Sequence, residues 1–465
     1  NSKTATYFLA DTLINRHLDV RRLAQQVLAK PSRMRYIPIF DSLERSQDSV
    51  SFGDQDWRDI YTDATLRSLI ERALDHNKDM LIAAARVKEM AAQKRISTAA
   101  LLPDIKGKVT GERELENHGG DAFKRSDTFE AQFLVSWEVD LWGNLRWARS
   151  ASIAEYLQSI EAQRALQMTI VAEVAQAYYE LVALDTELDI VKQTLKAREE
   201  GVRLARIRFA GGLTSETSYR QAQVELARTA TLVPDLERKI SLKENDIAYL
   251  AGEYPNKIAR SRLLQEFNSP ETLPVGLPST LLERRPDIRQ AEQKLIAANA
   301  KVGVAYTNMF PRLALTGGFG SESTSLSELL KSPYAVMEGA LLTPIFGWGK
   351  NRAALKAKKA AYEAEVHSYE KAVLEAFKET RNAIVNFNKI KEVYELRANL
   401  ERSAKSYMDL AQLQYINGVI NYLDVLDAQR GYFDAQIGLS NAIRDELIAV
   451  VQLYKALGGG WEQNP

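Results

Sequence analysis

The chain carries one pattern written twice. From Arg146 and again from Arg352 two stretches superpose at a constant offset of 206 residues. Phe209-Ala-Gly-Gly212 falls on Tyr415-Ile-Asn-Gly418, Gln221-Ala-Gln223 on Asp427-Ala-Gln429, and Leu250-Ala-Gly252 on Ala456-Leu-Gly458. Upstream the register slips by two residues, pairing Leu102-Pro103 with Phe310-Pro311 and Trp142-Gly143 with Phe346-Gly347. A period this long is outside the range of solenoid units and implies a duplicated half-molecule whose halves build one pseudo-symmetric body.

Each half repeats one order of elements. Ala64 to Leu102 contains neither Gly nor Pro and places Leu66, Leu69, Ile70, Ala73, Leu81 and Ala84 at helical spacing, which predicts one helix of about 55 Å. Pro103 closes it, and strands follow at Ile105 to Glu112 and Phe129 to Val139. In the second of these, Phe129, Ala131, Phe133, Val135, Trp137 and Val139 alternate with Glu130, Gln132, Ser136 and Glu138. An apolar face opposite a polar one, ending near Trp137 and Trp142, suits a barrel strand between lipid and a wet lumen; an amphipathic strand on a soluble core reads the same way. The second half gives a helix Pro286 to Met309, a strand Leu313 to Gly320, a Ser-rich loop Ser321 to Ser332 and a strand Tyr334 to Phe346. Four strands cannot close a barrel alone, so a barrel requires several subunits.

Asn144 to Glu200 and Asn351 to Ile416 are 57 and 66 residues without Gly or Pro, predicting helices of roughly 85 to 100 Å. In the first, Val171, Val174, Tyr178, Leu181, Leu184, Leu188 and Val191 form the seam of a coiled coil. Glycine turns at Gly211-Gly212 and Asn417-Gly418 reverse the chain into returning helices, the first interrupted by Pro234, a predicted kink. Thr214 or Ser215 is placed to cap the helix that follows. The chain therefore divides into an N-terminal segment 1–63, a first repeat 64–252, a linker 253–280, a second repeat 281–458 and a tail 459–465. The segments outside the repeats are expected to pack around the waist.

Composition removes several classes of function. Lys plus Arg and Asp plus Glu are 61 each, so no basic excess is present to neutralise phosphates, and nucleic acid is not an expected partner. Cysteine is absent, which excludes disulfides and thiolate sites. No apolar run reaches the length of a membrane helix, so contact with a membrane would be made by strands. His17, His76, His118 and His367 show no metal-ligand spacing, and no nucleophile elbow or phosphate-binding loop is present. No catalytic residue, metal or cofactor is expected.

At Asp56-Trp-Arg58, Leu102-Pro103, Asp140-Leu-Trp-Gly143, Leu282-Glu-Arg-Arg-Pro-Asp-Ile288, Phe310-Pro311, Pro344-Ile-Phe-Gly347, Tyr422-Leu-Asp-Val-Leu-Asp-Ala-Gln429 and Leu453-Tyr-Lys-Ala-Leu-Gly-Gly-Gly-Trp461, the chain resembles the TolC family of outer-membrane channels, specifically the outer-membrane factors of tripartite drug-efflux pumps. The resemblance implies a mixed α and β membrane protein. It would be a homotrimer with a 12-stranded outer-membrane β-barrel, four strands per chain, continued by a long periplasmic α-helical barrel of coiled-coil hairpins. Implied partners are a periplasmic adaptor, an inner-membrane transporter of the RND type and outer-membrane lipid. Implied function is passive exit of drugs and other small molecules through an aperture that partners open. An exit duct for type I protein secretion is the alternative within the family, and a soluble coiled-coil scaffold the alternative outside it. Members of this branch often begin with a lipidated cysteine; with Asn1 first, lipidation is either lost with a missing residue or absent, and segment 1–49 does not match the family.

By the same resemblance, Leu423, Asp424 and Asp427 line the periplasmic aperture; since the latch of some members is missing here, Leu423, Tyr415 and an Asp427–Arg430 pair are expected to hold it closed instead. The spacing itself allows a plain exposed i,i+3 pair, Asp427 with Arg430. The arginine-and-acid latch of some members is missing, its positions being Ile420 and Ser218. The turns Gly211, Gly212, Leu213, Thr214, Ser215 and Asn417, Gly418, Val419 would meet the adaptor, and Glu130, Gln132, Ser136 and Glu138 would face the barrel lumen.

Overall fold

A computed structural model of the chain describes residues 51–116, 119, 124–261, 264, 267, 278–344, 347 and 349–461. The segment 1–50, with His17, together with His118, most of the linker after 261, Phe346 and the last residues of the tail, lies outside them. A 3-10 turn Phe52–Asp54 leads to helices α1 Trp57–Ile60, α2 Ala64–His76 and α3 Lys78–Ala99, strands β1 Asp104–Glu116 and β2 Lys124–Val139, and helices α4 Asn144–Ala210 and α5 Glu216–Leu250. The second half follows with α6 Pro278–Arg284, α7 Pro286–Thr307, β3 Arg312–Ser323, a 3-10 turn Leu326–Lys331, β4 Pro333–Leu342, α8 Lys350–Ile416 and α9 Tyr422–Ala456. The long helices α4 and α8 have 67 residues each, α5 and α9 have 35, and α3 and α7 have 22.

The expected helix from Ala64 to Leu102 is two helices. Asn77 leaves the helical conformation at ψ 130°, and its Oδ1 accepts from the N–H groups of Asp79 and Met80 at 2.9 and 3.2 Å. An Asn side chain competes for backbone donors and starts a new helix where the old one would have continued. The break has a tertiary purpose. Asn77 Nδ2 donates to the Leu250 carbonyl at 2.9 Å, and a Cβ on Gly252 would lie 2.2 Å from the His76 carbonyl oxygen. The end of α5 therefore abuts the α2–α3 joint, so that α5 and α3 together cover the length of α4. In the second half Arg285, the residue before α7, donates to the Ala456 carbonyl at the end of α9, and α9 and α7 cover α8 likewise. α5 itself runs unbroken through Pro234.

The four strands form one antiparallel sheet in the order β1-β2-β3-β4. The register puts Phe133 beside Gly107 and Phe319, and Trp137 beside Leu315, on one face; Glu130 sits beside Thr110 and Glu322 on the other. Part of the expected Ser-rich loop is strand, since β3 continues to Ser323. At the helix end of the sheet, Trp142 stacks on Phe310 at 5.0 Å, and Trp137 Nε1 donates to the Leu101 carbonyl. Among the described residues no helix is long and apolar enough to cross a membrane.

The densest core lies where α1 and α2 meet the middle of α4 and the end of α9. Trp57, Tyr61, Leu66, Leu69, Ile70, Tyr178, Leu181 and Leu453 are all fully buried there. Asp63, 1% exposed, organises it. Its Oδ1 caps α2 through the N–H groups of Thr65 and Leu66, while its Oδ2 accepts from Tyr178 Oη at 3.0 Å and Ser261 Oγ at 2.6 Å. Asp63→Ala removes the cap and leaves the buried Tyr178 hydroxyl without its acceptor, so we expect a loss of about 2–4 kcal/mol, read as a lower midpoint of denaturant unfolding in detergent. A shift under about 0.5 kcal/mol would contradict this account.

Candidate functional site

Both hairpins turn at the same end of their long helices, and both turns are built alike. After α4 the N–H of Gly212 bonds to the Phe209 carbonyl and that of Leu213 to the Arg208 carbonyl; after α8 the N–H of Gly418 bonds to Tyr415 and that of Val419 to Gln414. Gly212 and Gly418 have φ of +73° and +75°, which only glycine adopts at little cost, and the paired bonds satisfy the last carbonyls of each helix. The apolar residues just beyond, Leu213 and Val419, stay 73% and 69% exposed, as does Ile416 at 74%. The expected cap at α5 is not made: Ser215 occupies the N-cap position without a side-chain bond, and Thr214 Oγ1 is buried without a partner.

Behind the turns the two hairpins share a small core. Ala205, Ala222, Tyr422, Val425 and Leu426 are buried together, with Val202, Tyr219, Tyr415 and Ile420 packed on them. Tyr422 is seated by Gly201, where a Cβ would lie 2.7 Å from the Tyr422 hydroxyl oxygen. Tyr415 lies 5.3 Å from Tyr422 and under the Arg208 guanidinium at 4.5 Å. Burial pushes the Tyr422 phenol up to about 12, so it remains neutral and adds no charge to this core.

The first two turns of α9 present the sequence-selected residues on their outer face. Leu423, Asp424 and Asp427 are exposed, whereas Tyr422, Val425 and Leu426 point inward. Asp424 Oδ2 accepts the Asn421 N–H at 3.0 Å, so this carboxylate also caps its own helix. Asp427 forms no ion pair among the described residues. The expected Asp427–Arg430 pair is replaced, because Arg430 Nη2 reaches Glu225 Oε1 on α5 at 2.8 Å. A buried carboxylate offers a guanidinium more than an exposed one does, since water screens the exposed pair.

Glu225 was not singled out in the sequence. It is 2% exposed and surrounded by three arginines: Arg430 from α9, Arg198 from α4 at 3.2 Å, and Arg228 one turn along at 3.3 Å. Arg198, itself buried, also donates to the Glu225 carbonyl at 2.9 Å and to Thr229 Oγ1. Burial alone would push the Glu225 carboxyl up, but the Arg430 hydrogen bond and the charges of Arg430, Arg198 and Arg228 overcome it and hold it below the usual carboxylate range. The network joins helices of both hairpins within about four turns of the tip. The only advance signal was an acid at an otherwise apolar seam position.

Removing one partner of such a cluster leaves buried charge uncompensated. Glu225→Ala should cost about 3–5 kcal/mol of unfolding free energy. Because the folded carboxyl titrates below its unfolded value of about 4.3, its stabilisation is complete above that pH and is lost as pH falls through the folded value. The unfolding midpoint of Glu225→Gln should therefore fall less steeply than that of the unaltered chain on acidification from pH 5. Parallel pH profiles would rule out Glu225 as the titrating group.

Comparison with known proteins matches this architecture. The family model for outer membrane efflux proteins matches residues 69–253 and 277–459. The chain is 34% identical over 426 residues to outer membrane protein OprJ of Pseudomonas aeruginosa, covering 88% of this chain and 87% of that one. It is 29% identical over 409 residues to the cation efflux system protein CusC of Escherichia coli, covering 88% of each. Among solved structures, the outer-membrane channel OprN superposes with a TM-score of 0.84 at 28% identity over 89% of this chain and 94% of that one. The open state of the MtrE outer membrane channel of Neisseria gonorrhoeae superposes with a TM-score of 0.82 at 29% identity over 90% and 94%. The chain belongs to the family of outer membrane efflux proteins, and its place is the outer membrane.

Proposed function

We propose that the chain is the passive exit channel of a tripartite multidrug efflux system, assembled as a homotrimer in which three four-stranded sheets close one barrel. The observation that carries the reading is the outer face of α9, where Leu423, Asp424 and Asp427 stand exposed with no ion pair from their own chain among the described residues. Three copies would set six carboxylates around one opening, attracting cations and opposing anions. Leu423 supplies the narrowest apolar ring, Tyr415 backs it from the core, and Arg430, turned toward Glu225, holds α9 to the first hairpin.

The opposite end supports the same reading. Phe133 and Val135 on the apolar face of the sheet are exposed within a single chain, as a lipid-facing surface would be, and Glu130, Gln132, Ser136 and Glu138 share the face that would line the lumen. The exposed Leu213, Ile416 and Val419 give the turns an apolar surface for a periplasmic adaptor, which links them to an inner-membrane RND transporter and opens the aperture. Relatives named as antibiotic, solvent and toluene efflux pump outer membrane proteins favour small-molecule efflux over protein secretion.

Single-channel current across a planar lipid bilayer tests the proposal. The unaltered protein should give discrete cation-selective steps, and Asp424→Ala/Asp427→Ala should lose most of that selectivity while conducting at least as well. Failure to insert at any concentration would remove the pore, and unchanged selectivity in the double variant would remove the acidic aperture.

A further inference from the structure

The outward face of β2 changes character abruptly at its end away from the helices. From Val139 to Phe129 every second residue is apolar, a span of ten steps that reaches about 25 Å along the membrane normal at about 3.3 Å per residue and a tilt of about 40°. That is the height of the apolar band of an outer-membrane barrel. The next residue on the same face is Asp127, opposite Arg113 on β1, and the one after it is Arg125, opposite Leu115. Two guanidinium groups therefore stand where acyl chains end and headgroups begin.

Asp127 holds both of them. Arg113 Nε donates to its Oδ1 at 2.7 Å, and Arg125 Nη2 to its Oδ2 at 2.6 Å. The carboxylate is 23% exposed, the two arginines 59% and 54%. The trio keeps a net charge of +1, and the Nη1 groups of both arginines form no hydrogen bond among the described residues. The neighbouring acids Glu112, Glu114 and Glu130 alternate onto the other face. On β3 the same face ends with Ser321 and Ser323, level with Ala131 and Phe129. A cross-strand lock for the hairpin would need one arginine, and exposed pairs contribute about 1 kcal/mol or less. Two guanidiniums held side by side on one acid suit an oxyanion with several acceptor oxygens.

We propose that Arg113 and Arg125, spaced by Asp127, bind the phosphate groups of a phosphorylated glycolipid in the outer leaflet. The inference rests on the reading of this sheet as a lipid-facing barrel wall. In a trimer the site recurs three times around the rim and fixes the height of the barrel in the membrane. The lumen and the tip play no part in it.

The test uses the full chain in neutral detergent, with native mass spectrometry reading retention of a bis-phosphorylated glycolipid, its dephosphorylated form and phosphatidylglycerol. The unaltered protein should retain the bis-phosphorylated lipid about tenfold better than either other lipid, and Arg113→Gln/Arg125→Gln should abolish that preference. Conductance in a planar bilayer, measured on the same preparations, should be the same for both proteins, showing that the variant is folded. Equal retention of the phosphorylated lipid by the variant, or of the dephosphorylated lipid by the unaltered chain, would overturn the phosphate site. Equal retention of phosphatidylglycerol would overturn its selectivity for the glycolipid. Either result with conductance intact leaves the pore standing, whereas loss of insertion by the unaltered chain would overturn the barrel wall and this site with it.

Discussion

A helix of 67 residues has to be covered by something as long as itself. At 1.5 Å per residue it extends about 100 Å, and an apolar seam of that length cannot be left in water. The fold answers by setting a 35-residue returning helix end to end with a 22-residue short helix, once in each half. Everything at the junctions serves that stacking: Asn77 breaking α2 from α3, Gly252 admitting the His76 carbonyl, Arg285 bonding to the end of α9. The waist core around Asp63 and Tyr178 sits beside the first of these joints, where a continuous helix would have needed no support.

The stacking also gives the waist and the tip different kinds of contact. At the waist aromatic and aliphatic side chains pack around the Asp63 carboxylate, whereas near the turns the two hairpins touch through five buried residues, Tyr422 the largest of them, and one ionic cluster. Glu225 ties both hairpins to one point through Arg198 and Arg430. The tip is thereby fastened by a buried ionic cluster whose partners are costly to separate.

Much of this was legible in the sequence. The 206-residue offset reappears in the bounds of the helices, with α4 and α8 beginning at Asn144 and Lys350 and ending at Ala210 and Ile416. Glycine-marked turns, the Phe129 to Val139 alternation and the Pro286 start of α7 are local signals, each set by backbone conformation within a few residues. The strand ends were less legible: β1 continues past Glu112 to Glu116 because cross-strand hydrogen bonding to β2, absent from any one strand's sequence, extends it.

The sequence by itself determined the duplication, the order of the main elements, the extent of the two long helices and the two chemistries of the sheet, because those depend on periodicity and on where glycine and proline fall. Only the tertiary structure decided which partner each polar side chain takes. Arg430 lies three residues from Asp427 and 205 from Glu225, yet it bonds to the distant acid, since burial of Glu225 makes that pair the stronger one. Thr214 is spaced to cap α5 but its buried hydroxyl makes no bond there, and Asn77 ends a helix that nothing in its hydrophobic period interrupts. Spacing along a chain sets which groups can meet; desolvation, which exists only once helices from both halves are packed, selects among them.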